Sequence, residues 1–145
     1  MEIYTVGFAK KSAETFFGAL RKACIKRLID IRLNNTSQLA GFTKKDDLKF
    51  FLQELCGAEY NHELLLAPTP EIFNSYKRKE IGWQEYEQRF LGLMAERKIE
   101  EKIDQNLLNG PTVLLCSESK ANYCHRRLVL EYLQGRWGNF QIIHL

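Results

Sequence analysis

Between Thr112 and Arg127 the chain runs through three apolar residues, Val113, Leu114 and Leu115, and stops at Cys116. A polar loop follows, and a helical pattern begins at Cys124-His125-Arg126. Buried strand, loop and helix amino terminus, in that order, are the repeating unit of an α/β sheet. The order also locates chemistry. Ligands bind beyond the carboxyl ends of parallel strands, where unpaired N–H groups of the next helix favour an anion or a thiolate. Two thiols, a carboxylate, an imidazole and two guanidiniums fall within the twelve residues from Cys116 to Arg127.

The rest of the chain repeats this alternation. Residues 2–8 are β-branched and aromatic, the pattern of a first strand ending at Gly7. Ser12 is placed to cap a helix with Phe16, Phe17, Leu20, Ala23 and Cys24 on its apolar face. Arg27 to Arg32 reads as a second strand, Leu33 to Gly41 as a loop, and Thr43 as the cap of a helix to about Leu55. Ala58 to His62 is a short strand, and two prolines stiffen the connector to residue 70.

From Glu71 to Leu108 the pattern is helical but interrupted, with Gly82 as a break. Trp83, Tyr86, Phe90, Leu93 and Met94 form one stripe, expected to be core. Ile99, Ile103, Leu107 and Leu108 form another. A strand at Thr112–Cys116, a helix from Cys124 to about Gln134 capped by Gly135, and a last strand at Gln141–Leu145 complete the chain.

The expectation is a single α/β domain over residues 1–145. It is a three-layer sandwich with a mostly parallel sheet of about five strands and a helical insertion before the fourth strand. The loops after the strands then gather Gly7-Phe8, Asp30 to Arg32, Asn34 to Gln38, His62, Cys116 to Glu118 and Cys124 to Arg126 at one edge.

At 145 residues the chain buries a core without help from disulfides. No apolar run approaches membrane-spanning length, and the amino terminus lacks a basic region followed by an apolar stretch, so a cytoplasmic protein is expected. Cys24 and Cys56 are expected to be buried free thiols near helix ends. The net charge of +3 is mild, and the basic clusters are spread among acids as solvated faces.

Tyr4-Thr5-Val6-Gly7-Phe8, Leu28-Ile29-Asp30-Ile31-Arg32, Ser37, Gly41-Phe42, Tyr60-Asn61-His62 and Leu66-Ala67-Pro68 form a series that ends in Leu114 to Glu118 and Cys124-His125-Arg126. Together they resemble the domain-of-unknown-function 488 family over nearly the whole length, the Cys-x-Glu and Cys-His-Arg pair being the most specific part. Asn34-Asn35 departs from the resemblance, where many members carry a proline. The resemblance implies a fold and no established reaction.

The chemistry is therefore read from the residues. Cys116 ends a strand and Cys124 begins a helix, where a thiol is readily ionised, so Cys116 is the candidate nucleophile. Glu118, Asp30 and His125 are candidates for proton transfer. Arg32 and Arg126, with Ser37 and His62, are candidates for substrate binding, the arginines holding a phosphate or carboxylate. These residues read as an enzyme, a hydrolase or transferase acting on a small anionic substrate, either through a Cys nucleophile or without a covalent step through Asp30, Glu118 and His62 as acid–base or water-positioning groups. Neither a G-x-G-x-x-G nor a Walker sequence is present, so no cofactor is expected.

Two alternatives stand beside this reading. One is a non-catalytic module for nucleic acid or a small ligand, using Asn34, Asn35, Ser37, Gln38, Tyr60, Trp83 and Tyr123. The other is a metal site drawn from Cys116, Glu118, Cys124, His125 and His62. The seven residues between the cysteines are not a knuckle spacing, and adjacent Cys124 and His125 are expected to face apart, so no metal ligand is assigned.

Overall fold

The computed structural model of the chain describes residues 1–118 and 120–145; Ser119 of the polar loop lies outside the described residues. Among the described residues five strands form one sheet: β1 (Glu2–Gly7), β2 (Arg27–Asp30), β3 (Glu59–His62), β4 (Thr112–Cys116) and β5 (Gln141–His144). Their order is β3-β2-β4-β1-β5, and every neighbouring pair is parallel. Parallel strands need crossover connections. Helices α1 (Ala13–Lys22), α2 (Lys45–Cys56), α3 (Pro70–Lys77), α4 (Trp83–Arg97), α5 (Ile99–Lys102) and α6 (His125–Trp137) lie within them.

The sheet separates two apolar layers. On one face Phe16, Phe17 and Leu20 of α1 and Leu48 and Leu52 of α2 pack with Val6, Leu28, Val113 and Leu115. On the other, Phe90 and Met94 of α4 and Leu128, Val129 and Leu133 of α6 pack with Ile3, Ile29, Ile31 and Leu114. Successive strand side chains alternate between faces, so β4, buried at all five positions, supplies both layers and reads as an unbroken apolar run. This is the expected three-layer sandwich, with a sheet that is wholly parallel.

Local signals mark several boundaries. Ser12 Oγ accepts from Thr15 N–H at 3.1 Å at the start of α1. Gly57, at φ +59°, ends α2. Thr69 caps α3, with Pro70 in its first turn. The Arg97 guanidinium donates to the carbonyls of Leu65 (2.8 Å) and Ala67 (2.7 Å), tying α4 to the connector after β3.

Other expectations are corrected. Thr43 does not cap α2: its buried hydroxyl donates to Ala40 O at 2.7 Å, and the helix starts past Lys44. The loop read from Leu33 to Gly41 runs into a 3₁₀ turn, Gln38–Thr43, that extends past it. The third apolar stripe is no single helix. Lys98 turns left-handed before the one-turn α5, and Asp104 caps a separate 3₁₀ turn, Gln105–Leu108. Gly135 lies inside α6, whose cap is Gly138 at φ +64°. Cys24 is exposed and Cys56 half-buried. Cys24 lies just past the end of α1 with φ 55°, which turns it out of the apolar stripe.

Candidate functional site

Cys116 ends β4 and pairs in register with Gly7 of β1. A Cβ at residue 7 would collide with the Glu118 carbonyl and the Arg126 guanidinium, so glycine lets the loop after β4 cross the end of β1. Phe8 N–H and Ala9 N–H donate to the carbonyls of Cys116 (3.3 Å) and Ser117 (2.9 Å) and fix that crossing. Cys124 is the residue before α6 and makes no side-chain cap.

The two thiols meet there, with Cys124 Sγ 2.8 Å from Cys116 Sγ. His125 Nδ1 lies 3.5 Å from Cys116 Sγ, and His125 Nε2 lies 2.8 Å from Ile31 O. A carbonyl only accepts, so Nε2 carries the hydrogen. In its neutral form the ring then turns its Nδ1 lone pair toward the Cys116 thiol, the orientation a general base requires. The Phe90 ring, 5.3 Å from the imidazole, packs against it.

The sulfurs sit in unequal surroundings. Burial alone would push the Cys116 thiol up. A hydrogen bond from Cys124, the backbone at Glu118, the charge of Arg126 and the backbone at Ser117 outweigh it and bring Cys116 below its ordinary value. Cys124 is pushed well above the ordinary value, first by burial and then by the hydrogen bond to Cys116 and its charge, with His125 opposing. Cys116 is thus the more acidic of the two sulfurs, and Cys124 is the thiol that donates to it.

A cavity of about 510 Å³ opens on this pair. Cys116, Cys124 and His125 form part of its wall. Phe8, Phe73, Tyr76, Tyr86 and Tyr123 supply aromatic surface, and Lys77 adds a cation. Tyr76, Trp83 and Tyr86 pack as a cluster, with Tyr76 and Tyr86 centroids 4.8 Å apart, and Tyr123 meets Trp83 edge-on at 5.5 Å. The stripe expected to be core is core at Tyr86, Phe90 and Met94. Tyr86 belongs to the cavity as well.

Asp30 and Arg32 form a second, buried constellation, and Arg32 also lines the cavity. Arg32 Nε and a terminal nitrogen each donate to the Asp30 carboxylate at 2.8 Å, and the same guanidinium reaches Thr43 Oγ1 (3.1 Å) and Thr43 O (2.7 Å). Tyr60 OH donates to Asp30 at 2.6 Å, and Asn35 Nδ2 donates to Tyr60 OH at 3.0 Å. The network pins residues 33–44 over the sheet edge, and that segment contributes Leu33, Asn34, Ser37, Leu39 and Ala40 to the cavity.

The other expected site residues separate. His62 donates from Nε2 to Arg32 O at 2.9 Å, behind the Asp30 network. Ser37 lines the cavity while accepting from Leu39 N–H at 3.1 Å. Glu118 lines it too, as an exposed side chain. Arg126 is 1% exposed; its Nε donates to Thr5 Oγ1 at 3.2 Å, one terminal nitrogen donates to the Glu118 carbonyl, and that nitrogen lies 3.9 Å from Cys124 Sγ. His144 Nδ1 meets Thr5 Oγ1 at 2.5 Å. Phe8 stands at the edge where the sequence placed it, while the walls Phe73, Tyr76 and Lys77 carried no sequence signal as site residues, because α3 reaches the cavity only through tertiary packing.

Cys116, Cys124 and His125 also place two sulfurs and a ring nitrogen within 4.8 Å of one another. Adjacency does not turn Cys124 and His125 apart, contrary to expectation: Cys124 stands before the helix with extended backbone, while His125 is already helical. Two thiolates and an imidazole whose far nitrogen is held by a carbonyl match the donor set of a zinc site with an open fourth position.

Among the described residues no helix is long and apolar enough to cross a membrane. No curated protein and no solved structure matches the chain. A family model described as a domain of unknown function, DUF488, matches residues 12–133, which span α1, the whole Cys116–Cys124 loop and most of α6. By that match the chain belongs to the DUF488 family.

Proposed function

We propose that this protein is a thiol-dependent enzyme in which Cys116 is the nucleophile and His125 its base. The observation that carries the reading is the approach of His125 Nδ1 to Cys116 Sγ at 3.5 Å, with the opposite ring nitrogen held by Ile31 O. The cavity supports a small substrate with a planar or aromatic group among Phe8, Phe73, Tyr76, Tyr86 and Tyr123. An anionic substituent finds its cation in Lys77. Arg32 and Arg126 act at one remove: Arg32 holds the cavity wall through Asp30 and Thr43, and Arg126 supports the Cys116 thiolate by its charge.

The test uses electrophiles on native, reduced protein, with and without prior treatment with a chelator. Labelling of each cysteine by phenacyl chloride and by chloroacetone is followed by peptide mass spectrometry. Exposed Cys24 serves as the internal comparison. Cys116 is expected to react with phenacyl chloride in a saturable manner and about tenfold faster than with chloroacetone, a preference of ~1.4 kcal/mol for the ring. Labelling of Cys24 is expected to rise linearly with reagent. Cys116 labelling that is unsaturable and indifferent to the ring overturns the reading. Labelling that appears only after chelation assigns the cluster to a metal instead.

A further inference from the structure

The position of the second thiol points to a specific reaction, and the argument rests on Cys116 being the nucleophile. Cys124 Sγ stands 2.8 Å from Cys116 Sγ, about 0.8 Å beyond an S–S bond of about 2.05 Å. A thiol so close attacks any oxidised form of Cys116 before a thiol from solution can. The pair is also recessed, with Cys116 5% and Cys124 2% exposed. An electrophile flanked by bulk on both sides, such as an ester carbonyl or a disulfide sulfur, reaches a sulfur held that way less readily than one bare on one side. The terminal oxygen of a hydroperoxide carries only a hydrogen beyond the reacting atom, so it enters a narrow approach. Its organic group then lies in the aromatic part of the cavity, against Phe8, Tyr76, Tyr86 and Tyr123.

We propose that the Cys116–Cys124 pair reduces organic hydroperoxides, with Cys116 attacking the peroxide and Cys124 resolving the product as an intramolecular disulfide. In the first step the Cys116 thiolate attacks the terminal peroxide oxygen. An S–O bond forms, the O–O bond breaks, and the alkoxide leaves as an alcohol with the proton that His125 Nδ1 took from the Cys116 thiol. Cys116 is then a sulfenic acid, and the peroxide has been reduced by two electrons. In the second step Cys124 sulfur attacks Cys116 sulfur. The S–S bond forms, the S–O bond breaks, and hydroxide leaves with the Cys124 proton as water. The sum is two thiols and a hydroperoxide giving a disulfide, an alcohol and water. An external dithiol returns the pair to the reduced state.

Trypsin separates the two sulfurs into peptides 103–120 and 121–126, so their joining is read directly. Reduced, chelator-treated protein is mixed with one equivalent of cumene hydroperoxide in the presence of dimedone, which traps sulfenic acids, and digested without reductant. Wild type is expected to release cumyl alcohol and give the two peptides joined by a disulfide. Cys124→Ser is expected to give the dimedone adduct on Cys116 instead. Hydrogen peroxide is expected to react at least about tenfold more slowly than cumene hydroperoxide, ~1.4 kcal/mol for the aromatic walls.

A dimedone adduct on wild-type Cys116 without the joined peptides overturns the role of Cys124. Equal rates with the two peroxides overturn the organic substrate class. Cys116 left unmodified in both proteins, with oxidation at Cys24 alone, removes the nucleophilic reading itself. The wild-type measurement stands by itself if Cys124→Ser does not fold.

Discussion

His125 is the residue on which the chemistry turns. Its geometry ties a backbone carbonyl on β2's extension to a thiol at the end of β4, so the ring is oriented before any substrate arrives. His125→Gln keeps a polar side chain of similar reach and removes the titratable base. The alkylation rate of Cys116 by iodoacetamide at pH 7 is expected to fall by about 100-fold. It is expected to recover as pH rises, because solvent hydroxide then replaces the base. A rate at pH 7 within about twofold of wild type contradicts the role of His125. The run from Cys116 to Arg126 was legible because ionisable residues crowd a strand–loop–helix boundary. The division of labour within it was not. Nothing in the order of residues says that Cys116 is the more acidic of the two thiols. That asymmetry arises from burial and from backbone groups of the loop. Cys24 shows the converse: helical spacing placed it on the apolar face, and a left-handed backbone past the helix end turned it to solvent.

At the scale of elements, the segment from residue 33 to 44 makes one wall of the cavity and is held by a buried ion pair. Asp30 is wholly buried and Arg32 3% exposed. Removing one partner strands the other charge, which typically costs about 3–5 kcal/mol. Asp30→Asn is therefore expected to lower Tm by ~10 °C or more. Replacing both partners together, Asp30→Leu with Arg32→Met, is expected to restore part of the loss. A single variant that melts within about 2 °C of wild type contradicts the network's role. Strands were the most legible elements, since β1, β2 and β4 carry unbroken apolar or β-branched runs. The residues around helix ends were the least legible. Thr43 has the sequence of a cap and the position of a buried partner for Arg32. Ile99 to Leu108 keeps helical spacing although Lys98 is left-handed before α5 and Asp104 is the extended cap of a separate 3₁₀ turn. Gly135 lies at an unstrained interior position, and Gly138 takes the positive φ that ends α6.

Across the whole molecule, the sheet order sets the site. β4 lies between β1 and β2, so its carboxyl end is flanked by Gly7 on one side and by the β2 extension carrying Ile31 and Arg32 on the other. Alternation in the sequence was enough to give the layers and the edge where functional groups collect. The part of the aromatic wall that α3 and α4 supply, Phe73, Tyr76 and Tyr86, was beyond that reading, because these helices reach the edge through contacts distant in sequence. Trp137 Nε1 to Glu100 O (3.1 Å) and Tyr132 OH to Glu100 (2.9 Å) hold α5 against α6 below it. The account therefore rests on one claim, that the fold delivers an ionised sulfur at Cys116 to a largely apolar cavity. The direct measurement is iodoacetamide labelling of native, chelator-treated protein against pH, with each cysteine read separately by peptide mass spectrometry. The account predicts a labelling midpoint for Cys116 below the ordinary thiol value of about 8.5 and one for Cys124 above it. A Cys116 midpoint at or above that value would contradict the account.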